Sequence, residues 1–298
     1  MTMSRRSFLA LPLAAAALPS AFAQTASDAA LFTRAIPSTG ERLPCVGLGT
    51  AVVFDRDDAA TRQRAGEVVQ GLVAGGGRLI DTASTYGEAE SVLGAVIAAG
   101  SLRSRLFLAT KVEMPEIGEF KRSLARLRVT SVDLLQLHNV RDPRQSLAQL
   151  REWKAQGLAR YVGITSTFHR DFDAVEAVLR NEKPDFVQVD YSIDNRLAEK
   201  RILPVAADVG AAVLTALPFG RARLFSAVRG KAIPDWAQDF AQSWAQFFLK
   251  FLLADGRITA VIPGTSSAEH LSDNLAAMRG RLPTPDERNR MADFVGTL

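Results

Sequence analysis

Four polar residues, Asp81, Tyr86, Lys111 and His138, each follow a short apolar run in this chain: Arg78 to Ile80 for the first two, Leu106 to Thr110 for the third and Val132 to Leu137 for the fourth. Each run reads as a strand, and helical spacing separates it from the next. Strand–helix alternation implies βαβ units and a parallel sheet, in which the residues at the carboxyl ends of successive strands converge on one rim. A phenol, an ammonium, a carboxylate and an imidazole gathered there could move a proton to or from a carbonyl oxygen, which is the proton half of a reduction. As separate residues they admit plainer readings. Asp81 and Lys111 could form only an ion pair at a barrel mouth, Tyr86 could anchor a loop, and His138 could be a satisfied core histidine.

The elements that must position them recur along the chain. Strands are predicted at Val46–Thr50, Arg78–Asp81, Leu106–Lys111, Val132–His138, Tyr161–Ser166, Phe186–Asp190, Ala212–Ala216 and Ala260–Ile262. Helices are predicted at Ala60–Ala74, Glu88–Ala99, Ile117–Leu127, Pro143–Gln156, Arg170–Arg180, Ala198–Val209, Trp236–Ala254 and Ala268–Met278. Eight βα units suit a closed (β/α)8 TIM barrel in a single α/β domain. A doubly wound open sheet is the alternative, but no Gly-x-Gly-x-x-Gly turn follows any strand.

At 298 residues, 47% hydrophobic and 23% charged, the composition is that of an ordinary globular chain large enough for such a barrel. Its 36 Lys plus Arg against 32 Asp plus Glu leave an excess of +4, half of it from Arg5 and Arg6. No basic run with interleaved aromatics is present, so a nucleic-acid partner is not expected. Three dispersed histidines and one cysteine give no zinc-ligand spacing, and no metal is expected.

The segment 1–23 stands apart from the barrel. Ser4-Arg5-Arg6-Ser7-Phe8-Leu9 leads into an alanine-rich apolar stretch and ends in Ala21-Phe22-Ala23, a small-residue cleavage pattern. It resembles a twin-arginine export signal. The run between Pro12 and Pro19 is shorter than the roughly 20 apolar residues of a spanning helix, so no stable membrane anchor is expected. Residues 24–35 are predicted to be a flexible lead-in and 36–298 the barrel. The expected location is the periplasm, or otherwise outside the cytoplasm, after cleavage near Ala23, with the twin-arginine machinery as partner. A chain whose single cysteine, Cys45, can form no internal disulfide suits export in the folded state.

Taken in order, Ile80-Asp81-Thr82-Ala83 with Tyr86-Gly87, Ala109-Thr110-Lys111, Leu137-His138, Val162-Gly163-Ile164-Thr165-Ser166, Gln188-Val189 and Ile262-Pro263-Gly264 resemble the aldo-keto reductases from about Pro44 to Asn274. The resemblance implies an NAD(P)-dependent oxidoreductase that reduces an aldehyde, ketone or open-chain sugar, or oxidises the alcohol. Asp81, Tyr86, Lys111 and His138 take the catalytic positions. Tyr86 is the implied general acid or base; Lys111 favours its phenolate, Asp81 holds the ammonium, and His138 orients the substrate oxygen. Hydride comes from the nicotinamide, because no side chain can donate one.

The resemblance also assigns the cofactor NADP or NAD to Gly49 and Thr50 near the ribose and pyrophosphate, to Asp81, and to Ser166 and Gln188 at the nicotinamide amide. It places Pro218, Phe219, Gly220 and Arg223 over the pyrophosphate, and Pro263, Gly264, Thr265, Ser266, His270 and Asn274 at the adenosine end. Arg221 or Arg223 would suit the anion, or be solvated loop charges. Gly264-Thr265-Ser266 before a helix could cradle a phosphate or serve as an ordinary N-cap. Substrate contacts are expected from Val53, Phe54 and Asn139. Departures from the family pattern are Thr167 after Ser166, Ala216 in place of a flat ring, and Gly264 and His270 where cations often hold a 2′-phosphate. They leave NADP and NAD both open, and motivate an alternative in which an exported barrel binds or senses a ligand without turnover.

Overall fold

The computed structural model describes residues 30–298, and the predicted export signal lies outside the described residues. Residues from Leu31 to Leu298 form one compact body. It opens with a hairpin of β1 (Thr33–Ala35) and β2 (Arg42–Pro44). The eight parallel strands follow: β3 (Leu48–Gly49), β4 (Leu79–Asp81), β5 (Phe107–Val112), β6 (Val132–Leu137), β7 (Ala159–Ser166), β8 (Phe186–Asp190), β9 (Ala212–Ala216) and β10 (Ala260–Val261). Between and after them run α1 (Ala59–Ala74), α2 (Ala89–Ala99), α3 (Ile117–Leu127), α4 (Ala148–Ala155), α5 (Phe172–Glu182), α6 (Leu197–Val209), α7 (Arg223–Ala227), α8 (Trp244–Leu253), α9 (Ala268–Ala276) and α10 (Pro285–Gly296).

Strand order equals chain order from β3 to β10, and the two ends meet. Val46 bridges Val261 and Gly49 bridges Gly264 in parallel, with Gly47 N–H donating to Val261 O at 2.9 Å and Gly49 N–H to Pro263 O at 3.0 Å. The sheet is therefore a closed (β/α)8 barrel, as the eight predicted units require.

Alternation along each strand divides the core in two. Leu79, Phe107, Ala109, Leu134, Tyr161, Phe186, Ala212 and Leu214 fill the barrel interior, while Ile80, Leu108, Leu135, Val162 and Val187 face the helices. The helices present matching stripes; on α3 the buried positions Phe120, Ser123, Leu124 and Leu127 follow the spacing of one helical face. Among the described residues no helix is long and apolar enough to cross a membrane.

The hairpin closes the amino-terminal end of the barrel. Ile36 and Leu43, both without exposed surface, join the interior cluster from below. Tyr161 Oη lies 2.8 Å from both Thr39 Oγ1 and Glu41 Oε2, pinning the turn to the floor. Residues 33–35, predicted to belong to a flexible lead-in, are thus part of the folded body. Their order comes from strand pairing and from Phe32 N–H donating to Met278 O at 2.9 Å. Two predicted helices also start later than expected. The last turns before Ala148 are loop, and α8 begins only at Trp244, where the Ser243 side chain caps Gln246 N–H.

Candidate active site

At the carboxyl end of the barrel the interior changes from apolar to polar. Directly above Leu79, Ala109, Leu134 and Phe186, the next inward positions of β4, β5, β6 and β8 are Asp81, Lys111, Gln136 and Gln188, all buried. Lys111 and Asp81 are only 1% and 3% exposed and meet at 2.6 Å. The ammonium also donates to Thr82 O at 2.8 Å. Asp81 accepts further from Gln188 Nε2 at 3.2 Å and Gln136 Nε2 at 3.4 Å, so the carboxylate buried with the cation has donors for both oxygens.

Tyr86 stands above this pair, on the loop that leaves β4. Lys111 Nζ is 4.9 Å from the centre of its ring, and His138, just past β6, meets the ring edge-on at 5.7 Å between centroids. Burial raises the Tyr86 phenol above its ordinary value; the Lys111 charge pulls it down without cancelling the rise, and Asp81 adds to the rise. Lys111 acidifies the phenol as expected of a neighbouring cation, but the net direction is upward. The phenol accordingly keeps its proton through neutral pH, and the ammonium becomes most effective when phenolate charge develops. Lys111 itself is raised, since Asp81 and Tyr86 outweigh the burial that would lower it.

His138 is held neutral: burial first, then the Lys111 charge, brings its imidazole down to about 4. Its Nδ1 is hydrogen-bonded to the Glu113 carboxyl, which burial and the neighbouring Glu119 push upward. Sequence reasoning missed Glu113. The signal was present, since Ala109, Lys111 and Glu113 follow the period of two that sends alternate residues of β5 and its extension to one side.

These side chains open onto a cleft of about 490 Å³. Gly49, Thr50, Asp81, Gln188, Pro218, Phe219 and Gly264 from the predicted cofactor set border it, together with Tyr86, Lys111, His138, Val53 and Asn139. The remaining predicted contacts lie elsewhere. Phe54 has no exposed surface and packs in the outer core, whereas Val52, two residues earlier, borders the cleft. The Ser166 hydroxyl is buried and donates to Asp171 Oδ2 at 2.9 Å, leaving Thr165 and Thr167 on the cleft. Arg223 is paired with Asp194 at 2.7 Å, and Arg221 faces the cleft instead. Gly220, Pro263, Thr265 and Ser266 flank the bordering segments and His270 and Asn274 lie on α9, none of them lining the cleft.

Two glycines at the cleft are required by the close approach of the backbones that close the barrel there. A Cβ on Gly49 would lie 2.9 Å from Ile262 O, and one on Gly264 would lie 3.3 Å from Gly49 O and from Val53 Cγ2. Strain is gathered at the same place. Of the eight non-glycine residues with positive φ among the described residues, Val52, Asn139, Leu217, Arg221 and Ala222 all border the cleft. Val52, β-branched at φ +56° and 87% exposed, is the least expected of them.

A model of the aldo/keto reductase family matches residues 45–293, and the chain belongs to that family, an oxidoreductase by class. It is 28% identical over 259 residues to an aldo-keto reductase of Mycolicibacterium vanbaalenii, covering 84% of this chain and 88% of the relative. An aldo-keto reductase of Mycolicibacterium paratuberculosis is 27% identical, with coverage of 84% and 85%. In fold, the chain superposes on a solved aldo-keto reductase from Klebsiella pneumoniae in complex with NADPH at a TM-score of 0.76 and 24% identity, over 89% of this chain and 95% of the other.

Proposed function

We propose that this protein reduces an apolar aldehyde or ketone with NADPH or NADH, Tyr86 delivering the proton. The reading is carried by the buried Lys111–Asp81 pair lying beneath a phenol that shares one cleft with His138. The cleft fits a nicotinamide dinucleotide in two respects: Gly49 and Gly264 border it without side chains, and the buried Gln188 brings an amide to its base. Relatives in the family, including one solved with NADPH, support the same cofactor class. Bound there, the cofactor would supply hydride to the carbonyl carbon.

The chain's own residues handle the oxygen. His138 lies beside Tyr86 and orients the carbonyl; Tyr86 gives up its proton as negative charge builds on the oxygen, and Lys111 stabilises the phenolate left behind. Asp81 keeps the ammonium charged and in place. The rim favours an apolar substrate over an open-chain sugar. Val52, Val53 and Phe168 border the cleft and offer apolar contact that a hydrocarbon chain gains from and a polyol does not. Export before action is also proposed, on the support of Arg5 and Arg6 in their apolar context.

The test is fluorescence titration with NADPH and NADH followed by turnover on a panel of apolar aldehydes, for wild type and Tyr86→Phe. Binding with turnover only in the wild type is expected. Equal rates in the variant would exclude Tyr86 as the acid, and tight binding without turnover on any carbonyl would favour a binding role.

A further inference from the structure

Glu113 has no part in the reaction as described, yet the surrounding loops hold it in place. Its backbone N–H donates to Glu119 Oε1 at 3.0 Å and that of Met114 to Glu119 Oε2 at 3.2 Å. Ser84 Oγ donates to the same Glu119 Oε1 at 2.6 Å, tying this loop to the one that carries Tyr86. The Glu113 carboxyl reaches His138 Nδ1, and Thr85 Oγ1 lies 3.5 Å from both partners. Glu113 is 41% exposed where His138 is 12% exposed, so the pair has a wet end and a dry end.

We propose that Glu113 is a positioning residue that shares a proton with His138 and thereby decides whether the imidazole donates or accepts a hydrogen bond in the cleft. This role rests on the reductase reading above and adds to it a residue outside the four. Nδ1 is committed to Glu113, so Nε2 is the ring nitrogen left for a substrate oxygen. With one proton between Glu113 and Nδ1 and another on Nε2, the ring donates to the cleft, whichever side of the shared bond the first proton occupies. When the pair loses one proton to solvent, the carboxylate holds Nδ1–H and Nε2 presents a lone pair. The first form suits a carbonyl oxygen; the second suits the hydroxyl hydrogen of an alcohol.

The surrounding charges act on the pair as a unit. Burial and the charges of Lys111 and Arg141 oppose an imidazolium, which Asp81 and Glu119 favour. Burial and Glu119 oppose the Glu113 carboxylate, which Thr85, Arg141 and Lys111 favour. The edge-on Tyr86 ring completes the surroundings of the imidazole. The net push, down for the imidazole and up for the carboxyl, favours a shared proton resting on the carboxyl side, with Nε2–H kept as the donor.

The chain has three histidines, so nitrogen-15 NMR of imidazole-labelled protein without cofactor can follow His138 directly, assigned by His138→Gln. The wild type is expected to pass on raising pH from an Nε2–H form to the Nδ1–H tautomer in one step. In Glu113→Gln the midpoint should fall by about one pH unit or more, a tenfold loss of proton affinity, and the declining limb of kcat/KM for carbonyl reduction should move down with it. An unchanged midpoint in Glu113→Gln would overturn the proposal. Should that variant not fold, an Nε2–H tautomer in the wild type above the midpoint would do so alone. If the protein reduces no carbonyl, the reductase reading fails, and the tautomer measurement still decides the Glu113–His138 pair.

Discussion

Replacing Lys111 by Met removes the cation on which the proposed chemistry of Tyr86 rests while keeping an unbranched side chain of similar length. With Nζ 4.9 Å from the centre of the Tyr86 ring, Coulomb attraction to a full phenolate charge at an effective dielectric near 20 is about 3 kcal/mol. That corresponds to about two pKa units on the phenol and about a hundredfold in the proton-transfer step. A second effect is structural. Asp81 keeps its bonds from Gln136 and Gln188 but loses its cation in a site where it is 3% exposed, and orphaning a buried charge costs about 3–5 kcal/mol of stability. The double variant Asp81→Asn with Lys111→Met separates the two, because it removes the orphaned carboxylate and leaves the phenol without its cation. The assay is kcat/KM for aldehyde reduction, followed by loss of NADPH absorbance, with thermal melting alongside. The expected result is a drop of about a hundredfold in both variants and a lowered Tm chiefly in the single one. Reduction within about threefold of wild type in a folded variant would refute the electrostatic role of Lys111.

The Glu199 carboxyl, raised by burial, is taken down to about 2 by Arg196, Arg288 and the Tyr191 hydroxyl, and it ties α10 to α6 through Arg288. A folded value below the ordinary 4.5 means its stabilisation is present above pH 4.5 and is lost as pH falls toward 2. Glu199→Gln should therefore lower stability at pH 7 by about 1–2 kcal/mol in urea titration, the full shift being discounted for solvent screening, and flatten the acid limb of the melting curve. Phe168, flanked by Arg170 at 4.5 Å and Arg141 at 6.0 Å, borders the substrate end of the cleft. Phe168→Ala should raise KM for an aromatic or long-chain aldehyde about tenfold with little change in kcat, and an unchanged KM would remove the apolar rim from substrate recognition. Changing Arg5 and Arg6 together to Lys should retain the protein in the cytoplasm of a bacterium with a twin-arginine pathway, checked by cell fractionation.

Much of the barrel is legible because strand patterning and strand-end chemistry coincide. Phe186–Asp190 and Ala212–Ala216 are found where apolar runs predicted them, and α3 from Ile117 to Leu127 matches its stripe end to end. Short or weakly buried elements escape this reasoning. The strands of the amino-terminal hairpin have three residues each, too few to show alternation, and exist because Ile36 and Leu43 fill the barrel floor. In α10 only Met291 is buried, so no apolar stripe marks it; its signal was the capping box of Thr284 and Glu287 with Pro285 at the start. At the site, the resemblance located residues by position in the chain, whereas the cleft is defined by which way each side chain points. That is why Phe54 gives way to Val52, Ser166 to Thr165 and Thr167, and Arg223 to Arg221. Glu113 stayed hidden because its meaning depends on a contact with His138 across two neighbouring strand ends.

The most direct measurement of the proposed chemistry is a single turnover with NADPH or NADH deuterated at the transferring ring carbon and an apolar aldehyde, read by mass spectrometry of the alcohol. The cleft formed around Tyr86, Lys111 and His138 leads us to expect deuterium on the former carbonyl carbon with wild type and no such product with Tyr86→Phe. Alcohol formed without deuterium, or equal deuterated product from both proteins, would contradict hydride transfer assisted by this phenol.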